Sequence, residues 1–268
     1  MNDRLEPDSQ VKGAFWVRFG LTQQSWVDPA RPDFLAFEYV QHVAMVLDHT
    51  VLDAPAERRL RLVHIGGAGM SIPRWVEWRR PATAQVVCEP DVALTNEVRR
   101  KIPLPPRSGI KVRDVDGRAG LAAMSTEWAD VIIVDAFDGA QVPGDLVTRE
   151  CLDDIRRVLR EEAVVIFNVT DRAPFDWAKR LAAGLAERWP RLLIGMEPVV
   201  AKGKRFGNLL LVASDAAPDV RGIERESRKL PTGYRWLSGR EAHAWPGGAE
   251  PFNDGEESAS PGPKGVGW

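Results

Sequence analysis

Two aspartates that directly follow an apolar run are the residues of this sequence best suited to acid–base chemistry. Asp135 and Asp138 stand three residues apart after the run 129–134, which is nearly continuous in apolar residues, as a strand buried on both faces would be. A third carboxylate, Glu89, ends a second apolar run, at 83–88. Carboxylates at the ends of buried strands face the mouth of a cleft, where they can accept protons from a substrate.

A glycine-rich turn precedes these residues. The apolar run 61–65 leads into Gly66, Gly67 and Gly69, and Pro73 then suits the first turn of a helix. Because glycines let the backbone approach a ligand closely, this strand–turn–helix order predicts a ligand site at the carboxyl end of a strand. A tight connection without a ligand is the alternative interpretation.

Two further strand ends carry residues that suit a nucleoside. Glu89 lies one βα unit after the glycine turn, where a carboxylate can accept hydrogen bonds from both ribose hydroxyls. Asp116–Gly117 follows a third predicted strand, and an aspartate there can accept from an adenine amino group. Each position has a plainer interpretation: Glu89 as an ordinary strand end, Asp116–Gly117 and Asp138–Gly139 as turns, and Asp135 as a helix cap. The order and spacing of the four together favour a nucleoside site.

Alternating strand and helix patterns from residue 61 onward predict an α/β fold. Strands are predicted at 61–65, 83–89, 110–113, 129–134, 163–168, 192–196 and 208–213. Helices are predicted from about 73 and at 92–101, 146–159 and 177–189. The stretch 202–204 between the last two strands is too short for a crossover helix, so this pair is predicted to be antiparallel.

Three parts of the chain are expected around this sheet. Residues 1–54 would hold a small β-hairpin, from the β-rich runs 14–21 and 23–27, and a lead-in helix from Phe34. Residues 55–214 would form the nucleoside-binding catalytic domain, and 215–268 a C-terminal extension with a short helix at 221–230. Residues 1–12 are expected to fray, and 244–268, rich in Gly, Pro, Glu and Ser, to be disordered.

Hairpin aromatics raise the question of self-association. Phe15, Trp16 and Trp26 would either present an apolar contact surface, as in a homodimer, or pack onto the chain's own sheet.

Charge and composition narrow the classes of function. The 268 residues carry a net charge of −2, so no basic field indicates a nucleic-acid partner. No apolar run approaches about 18 residues and the N-terminus is charged, so neither a membrane anchor nor an export signal is expected. Cys88 and Cys151 show no disulfide or metal spacing and suit buried thiols of a cytoplasmic protein. The histidines lack metal spacing, and His64 suits a core position, so no metal site is expected.

Several of these motifs together resemble a known family. The segments 66–69 and 135–138, with Arg74, Glu89 and Asp116–Gly117, resemble the spermidine synthase family of aminopropyltransferases over about residues 14–213. The resemblance is closest to divergent bacterial spermidine synthase-like proteins. It implies a class I methyltransferase-like Rossmann sheet and transfer of an aminopropyl group from decarboxylated S-adenosylmethionine to an amine such as putrescine, releasing methylthioadenosine. It implies no tightly bound cofactor, with decarboxylated S-adenosylmethionine or S-adenosylmethionine as co-substrate and a small amine as the other substrate.

The resemblance also assigns roles to individual residues. Asp135 matches the first, catalytic carboxylate of the family's DxxD motif, and Asp138 matches the second, which holds the diamine. The residues that match the nucleoside contacts are Gly66, Gly67, Gly69, Glu89, Asp116, Gly117 and Pro143, together with either Gln23 or Gln24 of the hairpin. Among these, Glu89 would hold the ribose.

Departures from the family pattern fall on the amine side of the site. The family's glycine loop usually contains an aspartate that binds the aminopropyl amine, and Gly69 occupies that position here. Gly139 follows Asp138 in place of the usual aspartate–proline pair, and residues 145–151 lack the expected tyrosine. The retained pair Asp135 and Asp138 nevertheless favours an aminopropyltransferase-like enzyme. An S-adenosylmethionine-dependent methyltransferase and a non-catalytic nucleoside-binding homologue are the alternatives.

Overall fold

Two β-sheets organise the chain in the computed structural model, which describes residues 4–19 and 22–263. The strands, numbered along the chain, are β1 (Leu5–Pro7), β2 (Phe15–Phe19), β3 (Thr22–Val27), β4 (Arg61–Ile65), β5 (Ala84–Cys88), β6 (Ile110–Arg113), β7 (Ala129–Val134), β8 (Leu159–Asp171), β9 (Arg191–Met196), β10 (Gly207–Ser214) and β11 (Arg235–Ser238). The first three form a small N-terminal sheet. The other eight form the central sheet in the order β11-β9-β10-β8-β7-β4-β5-β6.

The central sheet is parallel over five strands and antiparallel at one side. β4 pairs in parallel with β5 and β7, β5 with β6, and β7 with β8. β10 is antiparallel to both β8 and β9, which confirms the predicted antiparallel pair at the end of the sheet. β11, which the sequence analysis did not predict, adds an antiparallel edge strand to β9.

Helices cover both faces of the central sheet. They are α1 (Glu38–Asp48), α2 (Ser71–Arg79), α3 (Val92–Lys101), α4 (Gly117–Ala122), α5 (Arg149–Val158), α6 (Asp176–Arg188), α7 (Pro198–Ala201), α8 (Val220–Ser227) and α9 (Gly239–Ala244). Strand β7 shows why two layers are needed, because its side chains alternate between faces. Ile132 and Val134 belong to the core that includes α5 and α6, whereas Val131 and Ile133 belong to the core that includes α1 and α2.

The N-terminal sheet packs over the glycine loop 66–69. Val27 of β3 and Met70, directly after the loop, belong to one small core cluster. Residue Leu5 is paired with Val17 and only 1% exposed, so the expected fraying of residues 1–12 is wrong for the strand β1. The predicted hairpin is present as β2 and β3, while Gly20 and Leu21, assigned to its first run and turn, lie outside the described residues.

Aromatic side chains of the hairpin pack within the chain. Trp26 is 4% exposed, and Trp16 lies edge-on to both Trp26 and Phe37. Phe15 packs against the cluster that contains Val27. These contacts match the second of the two arrangements considered for the hairpin aromatics.

The C-terminal segment is ordered as far as residue 263, so the expectation of disorder is wrong for 244–263. Phe252 and Ser260 are 1% and 0% exposed. The Ser260 Oγ accepts a hydrogen bond of 2.8 Å from the Val142 N–H, and Trp177 Nε1 donates to the Ser258 carbonyl at 2.7 Å. Polar composition predicted disorder, but one buried aromatic ring and these hydrogen bonds fix the segment, which we call the C-terminal strap (residues 250–263). Residues 264–268 lie outside the described residues.

Interior polar groups agree with the sequence analysis. Cys88 and Cys151 are free and buried, and burial raises the pKa of these thiols to about 11 and about 12. His64 Nε2 and Gln85 Oε1 share a hydrogen bond of 2.9 Å inside the sheet. In the part of the chain that the structure describes, no helix is both long and apolar enough to cross a membrane.

Candidate functional site

The glycine loop connects β4 to α2 and lies against the carboxyl ends of β5 and β7. Gly66 has a φ of +90°, and a Cβ at this residue would lie 2.3 Å from the backbone oxygen of Asp135. A Cβ at Gly67 would lie 2.7 Å from a methyl group of Val87. Both positions therefore exclude a side chain, and the loop backbone comes close to the residue that follows β7.

Asp135 immediately follows β7, and two donors fix its carboxylate. Asn168 Nδ2 donates to Oδ1 at 2.8 Å, and the Tyr39 hydroxyl donates to Oδ2 at 3.2 Å. Asn208 Nδ2 donates in turn to Asn168 Oδ1 at 2.9 Å, which sets the orientation of the Asn168 amide. Burial raises the pKa of Asp135, and the hydrogen bonds from Asn168 and Tyr39 oppose that rise. A positioned carboxylate with a raised pKa is suited to accept a proton.

A cleft opens beside Asp135, between the glycine loop, α1 and the N-terminal sheet. Its walls combine apolar and aromatic side chains with polar groups, and the two kinds of surface are exposed in about equal parts. The lining residues are Gln24, Ser25, Phe37, Tyr39, Val40, His64, Gly66, Gly67, Ala68, Ser71, Ile72, Pro73, Ile133, Asp135 and Phe137. A concave site in which apolar side chains and convergent polar groups meet is a usual form of a small-molecule site.

Glu89, the predicted ribose ligand, is held by the glycine loop. Its Oε2 accepts hydrogen bonds from the Gly67 and Ala68 N–H groups at 3.0 and 3.2 Å. The other oxygen accepts from the Asp91 N–H at 3.0 Å. An ionised carboxylate offers about four acceptor positions, so these three bonds leave room for about one more. The glycine loop and Glu89 therefore form one connected unit.

Asp116, Gly117 and Pro143 lie near one another outside the lined cleft. Asp116 caps α4, because its Oδ1 accepts from the Ala119 N–H at 2.7 Å, so this segment starts a helix. A Cβ at Gly117 would lie 2.5 Å from Ile65 and 2.8 Å from Leu146, which requires glycine there. Pro143 precedes a short 3-10 helix, Gly144–Leu146. The start of α4 thus packs against Ile65 at the end of β4 and against Leu146 of the 3-10 helix.

Asp138 lies in a tight turn and is exposed. Its backbone N–H donates to the Gln141 carbonyl at 2.8 Å, and Gly139 follows with a φ of +61°. The turn is reached from the N-terminal sheet, since Gln24 Nε2 donates to the Gly139 carbonyl at 2.7 Å. Gln24 lines the cleft, whereas Gln23, its neighbour on the opposite face of β3, is exposed. Asp135 and Gln24 are therefore brought together, and Asp138 and Gln23 stand outside the cleft.

Gly69 faces the N-terminal sheet. A Cβ there would lie 2.7 Å from Val27, 2.8 Å from the Ser25 hydroxyl and 3.0 Å from Val17. Side chains of β2 and β3 fill the space that an aspartate at this position would need. The loop at this point carries no charged side chain.

Tyr39, Asn168 and Asn208 are site residues that the sequence analysis did not assign. Tyr39 lies in the helix predicted from Phe34, and its contact with Asp135 spans 96 positions of sequence. Asn168 ends the predicted strand 163–168, and a polar residue at that end was the available signal. Asn208 could not be assigned from the sequence, because it reaches Asn168 through the antiparallel pairing of β8 and β10. This pairing sets Leu210 opposite Asn168, and Asn208 lies two residues before Leu210.

Comparisons with curated proteins and with solved structures find similar kinds of relatives. No protein-family model matches the chain. A curated polyamine aminopropyltransferase from Vibrio vulnificus is 26% identical over 132 residues, a match that covers 48% of this chain and 43% of that protein. The match thus spans less than half the length of this curated relative.

Solved structures extend the likeness to nearly the whole chain. A probable spermidine synthase from Corynebacterium glutamicum is 26% identical with a TM-score of 0.87, covering 94% of this chain and 92% of that one. Human methyltransferase-like protein 13, in complex with SAH, has a TM-score of 0.56 at 20% identity and covers 73% of this chain and 94% of that one. A spermidine synthase bound to the transition-state analogue AdoDATO has a TM-score of 0.53 at 17% identity and covers 77% and 71%. The last two show the methyltransferase-like fold alone, whereas the first and the curated relative make the chain similar to the spermidine synthase-like family.

Proposed function

We propose that this protein transfers an aminopropyl group from decarboxylated S-adenosylmethionine to a small amine, with Asp135 as the proton acceptor. The observation that carries the proposal is the Asp135 carboxylate, fixed by Asn168 and Tyr39 at the side of a cleft that the glycine loop also lines. The family supports the donor, since relatives are named as aminopropyltransferases and spermidine synthases.

The reaction needs a base at this place. The acceptor amine is protonated in water, with a pKa like that of lysine, about 10.4, and so has no lone pair for attack. Asp135 takes one proton, and the nitrogen lone pair then attacks the carbon next to the sulfonium. The C–S bond breaks, its electron pair returns to sulfur, and methylthioadenosine leaves as a neutral thioether. Positioning both substrates in one cleft supplies much of the remaining rate.

The nucleoside would lie along the glycine loop. We infer that Glu89 holds the ribose, with Gly66 and Gly67 at the nucleoside backbone contacts and Asp116, Gly117 and Pro143 around the adenine. Since Glu89 already accepts three hydrogen bonds, ribose binding replaces at least one bond to the loop or to Asp91. Gln24 is the better placed of the two hairpin glutamines, because it lines the cleft.

Methylthioadenosine release tests this proposal. Purified protein is incubated with decarboxylated S-adenosylmethionine and a panel of primary amines, and methylthioadenosine is measured by chromatography. Asp135→Asn keeps the size of the side chain and removes the base, so turnover is expected to fall by at least about a hundredfold while nucleoside binding survives. Asp138→Asn, at the exposed position of the same motif, is the matched comparison and is expected to lose much less. Unchanged turnover in Asp135→Asn would refute the assigned role, and binding without turnover in any amine would favour a non-catalytic homologue.

A methyltransferase that uses intact S-adenosylmethionine is the second candidate, and Gly69 favours it. The loop carries no carboxylate there to repel the carboxylate of S-adenosylmethionine, and side chains of β2 and β3 occupy the space for one. Calorimetric titration with S-adenosylmethionine, its decarboxylated form and methylthioadenosine separates the two candidates. Tighter binding of the decarboxylated form supports aminopropyl transfer, and tighter binding of the intact form supports methyl transfer.

A further inference from the structure

The cleft beside Asp135 contains very little negative charge. Of the described residues that line it, Asp135 is the one with a carboxylate side chain, and none is a lysine or arginine. His64 also lines the cleft, but burial lowers its pKa to about 4, so it is neutral near pH 7. The cleft therefore offers one ionic partner to a cationic substrate.

Apolar and aromatic side chains form one side of the cleft. Phe37, Tyr39 and Val40 line it from α1 and the residue before it, and Ile72 from α2. Phe37 and Tyr39 are in contact, with ring centroids 6.0 Å apart. This wall suits the hydrocarbon body of a substrate better than a second charged end.

The other carboxylates near the cleft are either bonded to backbone N–H groups or lie outside the cleft. Glu89 is bonded to the N–H groups of Gly67, Ala68 and Asp91. Asp138 is exposed in its turn and does not line the cleft. At Gly69 the chain has no side chain at all. No second acidic group of the described residues is thus placed to meet an ammonium inside the cleft.

We propose that the acceptor is a primary monoamine with an uncharged body, and not a diamine. The inference rests on the proposed aminopropyl transfer and names the substrate class of the same site. One carboxylate matches one amine, and the rest of the lining, which carries no second charge near pH 7, matches an uncharged remainder of the molecule.

The charge of the donor strengthens this conclusion. Decarboxylated S-adenosylmethionine brings a sulfonium and a primary ammonium of its own, and Asp135 must also accept the proton of the attacking nitrogen. A second ammonium on the acceptor would lose its water without gaining an ionic partner, which is costly in a low-dielectric site. A contact with the faces of Phe37 or Tyr39 would recover only part of that cost.

The group transfer is the same for either kind of acceptor. Asp135 takes a proton from R–NH₃⁺, the freed lone pair of R–NH₂ forms the new N–C bond, and the C–S bond breaks toward sulfur. The products are R–NH₂⁺–(CH₂)₃–NH₃⁺ and methylthioadenosine. Only the charge on R differs, so a comparison of acceptors isolates the feature in question.

Three four-carbon amines test the proposal. Methylthioadenosine release is measured with 1-aminobutane, 4-aminobutan-1-ol and 1,4-diaminobutane at saturating decarboxylated S-adenosylmethionine. The aminobutane is expected to have a kcat/KM at least about tenfold above that of the diamine, the loss for one unpaired buried ammonium, with the alcohol between them. A diamine that equals or exceeds the monoamine overturns the inference and leaves the proposed function standing.

A binding experiment separates the acceptor preference from the proposed transfer reaction. The same amines are titrated by calorimetry into protein that holds methylthioadenosine. If the monoamine binds at least tenfold tighter but no acceptor releases methylthioadenosine, the transfer reaction fails and the preference of the cleft stands. If neither amine binds, or the diamine binds tighter, the inference is refuted.

A variant that adds the missing charge gives a third readout. Ser71 lines the cleft at the first position of α2, where a carboxylate is favourable to the helix. Ser71→Asp is expected to move the ratio of kcat/KM for diamine over monoamine upward by at least about fivefold, and Ser71→Asn, of the same size without the charge, is expected to leave that ratio near the wild-type value. An equal ratio in both variants contradicts the electrostatic argument.

Discussion

Replacing Tyr39 by phenylalanine removes one hydrogen bond from Asp135 and keeps the aromatic ring in the cleft wall. The hydroxyl donates to Asp135 Oδ2 at 3.2 Å, and this bond favours the ionised carboxylate. Burial already raises the pKa of Asp135, and the bond from Tyr39 is one of two that hold the rise back. Tyr39→Phe is therefore expected to raise this pKa further. A base works only when it is deprotonated, so the acidic limb of the pH–rate profile moves to higher pH.

The size of this effect follows from the length of the bond. A hydrogen bond to a charged group contributes about 1.5–3 kcal/mol, and a separation of 3.2 Å places this one toward the lower end. Because about 1.4 kcal/mol corresponds to a tenfold change in proton affinity, the acidic limb is expected to move by roughly one pH unit. Above that limb the rate is expected to approach the wild-type value, since the base itself remains.

The assay is kcat/KM for methylthioadenosine release, measured from pH 5 to pH 9 with a fixed amine. Tyr234→Phe is the matched control, because Tyr234 stacks on His42 with ring centroids 3.7 Å apart, whereas the side-chain donors to Asp135 are Tyr39 and Asn168. The control is expected to keep the wild-type profile. An acidic limb in Tyr39→Phe that stays in place or moves to lower pH would refute the role given to Asp135.

Three further changes test other parts of the structure. Ser260→Ala leaves the buried Val142 N–H without its acceptor and is expected to lower the free energy of unfolding by about 1–3 kcal/mol in denaturant titration. Ser258→Ala is the control, because it keeps the backbone carbonyl that accepts from Trp177, and it is expected to change the free energy of unfolding little. Burial lowers the pKa of His42 from 6.5 to about 4, so the unfolded chain binds more protons than the folded chain, and stability is lost as the pH falls from about 6.5 toward 4. His42→Asn is expected to flatten the dependence of unfolding free energy on pH in this range. An unchanged dependence would contradict the burial argument. Gly69→Asp introduces a side chain 2.7 Å from Val27 and is expected to cost about 1–3 kcal/mol by overpacking, and a variant with wild-type thermal stability would show that the N-terminal sheet yields at this point.

The parallel part of the sheet was predictable because its signal is local. The strands β4, β5 and β7 are short apolar runs, and the structure places β4 and β7 at the predicted bounds. The antiparallel pair of β9 and β10 followed from the short stretch between them. β11 escaped prediction because Arg235–Ser238 is four residues long, and it pairs with residues of β9 that lie about 40 positions or more away in sequence.

The residues of the candidate site also divide into those that the sequence predicts and those that it does not. Asp135 and the glycine loop lie where strand ends predict them, since that relation is set by the order of elements along the chain. Tyr39 and Asn208 reach Asp135 or its partner from distant segments, and no spacing rule connects them. The disorder expected at the C-terminus failed for a related reason, because composition reports average polarity and not the single buried ring of Phe252.

The C-terminal strap has a consequence for the order in which the protein matures. The loop that follows Asp135 is bonded to Ser260 through Val142, and the Ser258 backbone lies against Gly144. During synthesis, β4, β5 and β7 leave the ribosome more than 100 residues before these contacts can form. We therefore expect that a nascent chain can fold its parallel strands before the loop after Asp135 is fixed in place. Once it emerges, the C-terminal strap would then convert a folded chain into one that can bind its substrates.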